Sequence, residues 1–165
     1  MLFDAIERVY EVVSASFDTD LAALAGVKGV TAFTAMVIKR QTAEVIVAKK
    51  ATQPTIGIYA IGAQTQMADG GLGGKRDSTV MVGADLVITG SDPKLVQKQI
   101  ELGAETLVKE MCERVPQGAQ TSFAGGLQQG SVSVELSDGY TDGESPNYIG
   151  VAHVTVPIFE RDNTT

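Results

Sequence analysis

Few side chains in this sequence are equipped for chemistry. Its 165 residues hold one histidine, His153, one cysteine, Cys112, and no tryptophan. A zinc site of the Cys/His type needs at least three such ligands, and two cannot form one. Cys112 alone cannot close an internal disulfide. A Ser-His-Asp or Cys-His nucleophile system would have to run through His153. That residue falls mid-strand, on the side of Val151 and Thr155, and no second general acid, base or nucleophile is patterned near it. It reads as a packed or surface residue. Cys112, beside Met111 on a helix face, reads as a small core hydrophobe.

The glycine-dense run DGGLGGKRD, Asp69 to Asp77, invites comparison with a phosphate-binding loop. Such a loop needs a glycine, four residues, then Gly-Lys-Ser/Thr entering a helix. Here Arg76 follows Gly74-Lys75, Asp69 stands where the first glycine belongs, and the segment leads into a strand. Nucleotide binding is therefore not expected. Two readings remain, a mobile hairpin tip or a docking arm that orders against a partner. Glu101 and Glu105 are spaced as helical neighbours, but Lys98 and Lys109 interleave them, which suits a solvated, salt-bridged face. The acids of Asp138–Glu144 do not match the twelve-residue calcium loop and read as turn chemistry. No catalytic residue, cofactor site or metal site is expected.

The balance of 13 Lys+Arg against 20 Asp+Glu gives a net charge of −7, which opposes a general phosphate-binding surface. The 44% hydrophobic and 20% charged fractions are those of a globular chain. The start, MLFDAIERVYE, carries four charges and lacks the apolar core of a signal peptide, and no run approaches the roughly 20 apolar residues of a membrane span. Folding in a cytoplasm is the expectation.

The elements that would position these residues follow from periodicity. Leu2, Ile6, Val9, Val13 and Phe17 recur at helical spacing and predict a helix near 2–16. A short helical turn is expected over Asp18–Ala25, capped by Asp18 or Thr19 and ended by Gly26. Val30–Lys39 suits helical or irregular structure, and Thr42–Lys50 a strand or short helix. Ile56, Ile58 and Ala60 mark a short strand. Gly62–Asp77 reads as a long loop, and Val80 to Ile88 alternate as a long strand, making an extended hairpin. Ser91-Asp92-Pro93 opens a helix whose face runs Val96, Ile100, Gly103, Leu107, Met111 and Val115, stopped by Pro116 and Gly118. Val132, Val134 and Leu136 predict a half-buried strand, Asp138–Asn147 a turn-rich stretch, and Ile149–Phe159 a last strand. Pro157 would place that strand's end at a sheet edge or bulge. Together these predict an α+β fold: a mainly antiparallel β-sheet, an N-terminal helix and a long central helix packed on one face, and an extended β-hairpin loop. One domain is expected over 1–160, with a frayed polar tail at 161–165.

The order of these elements has a parallel. An amphipathic N-terminal helix precedes the Pro-led strand Pro54-Thr55-Ile56-Gly57-Ile58. A long loop feeds a strand ending Asp85-Leu86-Val87-Ile88-Thr89-Gly90, then come the Ser91-Asp92-Pro93 helix start and a closing strand Tyr148–Phe159. Over roughly residues 1–14 and 54–160 the chain resembles the tail terminator (tail-completion, or neck) proteins of tailed bacteriophages. The resemblance implies a virion structural protein without catalytic residues, assembled in the host cytoplasm. Its homo-oligomeric ring, typically hexameric, would cap the tail tube and meet the head-completion or neck proteins. DNA would pass through the channel without specific binding, and no membrane would be involved. The hairpin would then reach a neighbouring subunit or the tube through Gln66, Met67, Leu72, Lys75 and Arg76. Another virion subunit, of the tail tube or head closure, is the alternative, and a small-molecule-binding α+β domain a further one.

Overall fold

The structure, a computed structural model, describes residues 2–33, 37–40, 54–67, 76–115, 126–127, 132–141 and 147–162. The fold is α+β, two helices on a mixed but mainly antiparallel sheet.

Helix α1 spans Leu2–Lys28 without interruption. The expected break at Asp18-Thr19 does not occur, because the apolar stripe continues through Phe17, Leu21 and Ala25, all buried, while Asp18 and Thr19 face solvent. Gly26 lies inside the helix. The terminator is Gly29, whose φ of 64° suits glycine, and the Val30 N–H bonds back to the Ala25 carbonyl at 3.1 Å. That is a Schellman-type end, satisfying a carbonyl the helix leaves open.

Among the described residues of Val30–Lys39 there is no helix. Irregular backbone at 31–33 precedes a short strand, β1 (Val37–Lys39), parallel to β2 (Thr55–Met67). Thr42–Lys50 lies outside the described residues. Strand β2 is antiparallel to β3 (Arg76–Gly90), and β3 is in turn antiparallel to β6 (Tyr148–Asp162), paired from Arg76–Asp162 to Gly90–Tyr148. At about 3.3 Å per residue this central pair runs on the order of 50 Å. Of the expected loop Gly62–Asp77, the described residues at both ends, Gly62–Met67 and Arg76–Asp77, are sheet. Gly62 marks a register shift after Ala60, and pairing resumes to Met67 opposite Arg76. Its polar side chains suggested a loop, but ladder bonds use the backbone and do not depend on side-chain polarity.

Helix α2 (Pro93–Lys109) begins as the sequence predicts. Asp92 Oδ1 accepts from the Lys94 and Leu95 N–H groups at 3.0 and 3.4 Å, and Pro93 opens the first turn. The helix continues as a π-helical turn over Glu110–Arg114, closed by the Val115 N–H on the Glu110 carbonyl. Val115 at its end is buried with the rest of the stripe. Pro116 and Gly118 lie outside the described residues.

One core joins both helices to one face of the sheet. Val9, Val13, Phe17 and Leu21 of α1 and Val96, Ile100 and Leu107 of α2 meet Ile56, Ile58, the even-numbered residues Val80 to Ile88, and Ala152 to Ile158. Gly103 lets α2 approach closely: a Cβ there would stand 2.2 Å from the Leu86 Cδ2.

The last strands depart from expectation. Strand β5 (Ser133–Thr141) pairs with β6, as does the short β4 (Gly126–Leu127) further along the same edge. Strand β5 extends through Asp138 to Thr141, where turns were expected, with a register shift between Ser137 and Tyr140. It is not half-buried, because Val132, Val134 and Leu136 are exposed. Pro157 lies within the interior strand β6, opposite Met81 of β3. On the other side it falls between the described pairings of β5 and β4. Strand β6 reaches Asp162, into the segment expected to fray.

Candidate functional site

Three places are candidates, of which the sequence offered the hairpin as a docking arm and His153 as a packed or surface residue. Gln66, Met67 and Arg76 lie at the end of the β2–β3 hairpin, Gln66 opposite Asp77 and Met67 opposite Arg76. Arg76 is also paired with Asp162, so the hairpin end is three strands wide. Leu72 and Lys75, like the rest of 68–75, lie outside the described residues.

The second place is on the sheet face away from the helices. The pairing register sets His153 of β6 directly opposite Asp85 of β3, and Glu135 of β5 opposite His153. Tyr59 of β2 stands opposite Gly83, one diagonal step from Asp85. Its ring occupies the room a side chain at Gly83 would need, with Tyr59 Cζ 2.6 Å from the position of a Cβ. From there the Tyr59 hydroxyl donates to Asp85 Oδ1 at 2.9 Å, and His153 Nδ1 lies 2.7 Å from the same oxygen. Asp85 is 2% exposed, beside the buried Val87 and Val151, while the His153 side chain is 42% exposed. Burial and then the neighbouring Asp85 carboxylate push the Tyr59 hydroxyl up to about 12.

A second general acid and a carboxylate thus do stand beside His153, contrary to the sequence-based reading. The signal was not readable locally, because it depends on a register joining residues 68 positions apart. Asp85 Oδ1 thus stands against both the Tyr59 hydroxyl and Nδ1 of the His153 ring. Among the described residues, however, no hydroxyl or thiol hydrogen-bonds to that ring. A cleft of about 320 Å³ lies elsewhere, around Ile61, Thr79, Met81 and Pro157 at the β2 register shift, and includes none of the three polar residues.

The third place is between α1 and the π turn. Arg114 holds Asp20 by a two-pronged contact, Nε to Oδ2 at 2.8 Å and Nη2 to Oδ1 at 2.9 Å, and Lys109 Nζ lies 3.6 Å from Asp20. Glu110, fully buried, bonds Ser16 of α1. The hydrogen bond between the two carboxyl groups, together with Arg114, holds Asp20 below the usual carboxylate range. An acid on the apolar stripe three residues after Leu107 was the sequence signal for this junction.

The remaining candidates are peripheral. Glu105 pairs with Lys28 at 3.1 Å and Glu101 accepts from Gln97 at 3.0 Å, both exposed. Lys109 turns instead to Asp20. Cys112 is half-buried against the core, and burial pushes its thiol up. Among the described residues no three of His, Cys, Asp and Glu gather as a metal site, and no helix is long and apolar enough to cross a membrane. A scan against known protein families finds none that matches the chain, and a comparison with curated proteins finds no significant match.

Proposed function

We propose that this protein is a structural subunit of a tailed-phage virion, a tail terminator whose ring, hexameric by preference, caps the tail tube and joins it to the head-completion or neck complex. The observation that carries the reading is the row Val132, Val134 and Leu136, exposed by 40%, 44% and 42%. Val134 and Leu136 alternate onto one face of β5, Val132 stands just before it, and the strand has a described partner on one side only. Apolar rows on an edge strand invite association, and monomers ordinarily blunt them with charge. A closed ring with head-to-tail contacts needs two different complementary surfaces on each subunit. The β5 row supplies one in this reading, and the end of the β2–β3 hairpin, with Gln66, Met67, Leu72, Lys75 and Arg76, supplies the other. The polar clusters then have structural work, and no catalytic role is assigned. The net charge of −7 suits a channel that lets DNA slide without gripping it.

A small-molecule-binding domain has one observation in its favour, the 320 Å³ cleft. Ligand sites of that size bring together a few polar groups that fix orientation. The polar side chains of this cleft are Gln64 and Thr79, neither of them titratable. The virion reading is therefore preferred.

Native mass spectrometry and negative-stain imaging of the purified protein, alone and with tail tubes, test it. A ring of six is the expected result. A persistent monomer in both samples contradicts it, and stacked tubes or a twelve-fold collar would move the protein to the tube or head-closure class.

A further inference from the structure

Glu110 has no exposed surface, and counting hydrogens around its carboxyl group points to the protonated acid. Ser16 Oγ is 2.8 Å from the Val12 carbonyl oxygen, which can only accept, so the single hydroxyl hydrogen is engaged there. The same Ser16 oxygen also bonds Glu110 Oε2. One hydroxyl hydrogen cannot serve both acceptors, and a proton on Glu110, whose carboxyl also shares a hydrogen bond with Asp20, makes up the shortage. The other oxygen, Oε1, is buried and accepts no hydrogen bond. Arg114 Nε stands 3.2 Å from it, but that N–H is directed to Asp20 Oδ2 at 2.8 Å. A bare carbonyl oxygen in such a place is far less costly than a bare carboxylate oxygen.

We propose that Glu110 is a neutral carboxylic acid held between Ser16 and Asp20, and that its ionisation is a pH-sensitive latch freeing the end of α2 from α1. The described groups facing it are Ser16 and Asp20 from α1, and Lys109 and Arg114 from its own helix. Ionisation sets a second negative charge beside Asp20, whose countercharges are already engaged. Ser16 must then take its hydrogen from Val12 to face the new carboxylate. The π turn has an ordinary α register to relax into once that tie is lost. Burial first, and then the hydrogen bond to Asp20, push Glu110 from its ordinary 4.5 up to about 7. The folded state thus binds this proton more tightly than the unfolded chain. The stability it contributes is complete below 4.5 and is lost as pH rises through about 7.

The full-length chain with carbon-13-labelled glutamate carboxyls, followed by NMR from about pH 4 to about pH 9, tests the proposal. One carboxyl should titrate near neutrality and be missing from Glu110→Gln. Amide exchange at Leu107–Val115, corrected for intrinsic rates, should lose protection by up to about tenfold per pH unit below that midpoint. It should stay level in Glu110→Gln, whose amide stays neutral. Asp20→Asn should move the Glu110 titration down. A Glu110 carboxyl that titrates in the ordinary carboxylate range overturns the proposal. So does an equal loss of protection in the wild type and in Glu110→Gln.

Discussion

The Tyr59 hydroxyl loses water when its ring packs over Gly83, and it gains a carboxylate neighbour in Asp85. Both changes oppose ionisation, burial more than the charge, which is why the group is pushed from 10.0 up to about 12. An acid held more tightly in the folded state stabilises the fold below its unfolded value. That contribution is intact below pH 10 and lost between 10 and about 12. Tyrosinate absorbance, taken as the difference between wild type and Tyr59→Phe among the four tyrosines, should show one late-titrating group. Asp85→Asn should bring it part of the way back, since burial remains. A Tyr59 that titrates with the other tyrosines would contradict this arrangement. Replacing Asp85 by alanine should cost about 1–3 kcal/mol in a denaturant titration, because the Tyr59 hydroxyl then loses its acceptor. None of this was legible in the sequence around His153. The composition limited the chemistry to that residue, but Asp85 and Tyr59 reach it only through strand pairing. Glu110 was more legible, an acid standing on an apolar stripe, although its partners Ser16 and Asp20 come from the other helix.

At the scale of elements, the close crossing of α2 over the sheet sets a test with a built-in control. Gly103→Ala would place a methyl 2.2 Å from the Leu86 Cδ2 and 3.2 Å from Phe33 Cζ, and Leu86 is fully buried. Overpacking of this kind costs about 1–3 kcal/mol and outweighs the roughly 1 kcal/mol gained from a better helix former. Gly26, also helical, has nothing within 4 Å of the point a Cβ would occupy, so Gly26→Ala should gain up to about 1 kcal/mol. Opposite shifts in denaturant midpoint are the expected result, and equal shifts would refute the crossing. The period of the long elements was readable because periodicity is local, while the short strand Val37–Lys39 was not. Helix α2 was recognisable from Asp92-Pro93 and its apolar face, and β3 from strict alternation. Where α1 ends was misjudged, since Gly26 and Gly29 are equally glycine and only backbone geometry distinguishes them. The β2–β3 hairpin was foreseen but its pairing underestimated, because Gln64 to Met67 bond through their backbone. The burial of β5 failed for a different reason. Alternation shows that Val134 and Leu136 share a face, but not that α2 leaves it open.

That open face carries the argument about the whole molecule. At β5 the pattern Val132, Val134, Leu136 is one the sequence would use for a covered strand, yet each side chain is about 40% exposed. Three aliphatic side chains cannot fill the roughly 800 Å² per partner of a stable interface, so association through β5 needs a second surface. The proposed ring supplies one from the far end of the β2–β3 hairpin on the neighbouring copy. Subunits that each carry −7 also repel one another at long range, and salt screens that repulsion while leaving apolar contact in place. Assembly should therefore strengthen, not weaken, as ionic strength rises. Val134→Glu with Leu136→Glu should abolish it at every salt concentration and leave the subunit folded, with a stability change within about 0.5 kcal/mol, as for exposed positions generally. Sedimentation velocity with a parallel denaturant titration reads both quantities. A double variant that still assembles would remove β5 from the interface. One that no longer folds would mean that the row is covered within the subunit. Loss of assembly in a folded subunit, with wild-type assembly rising with salt, is what contact through this edge requires.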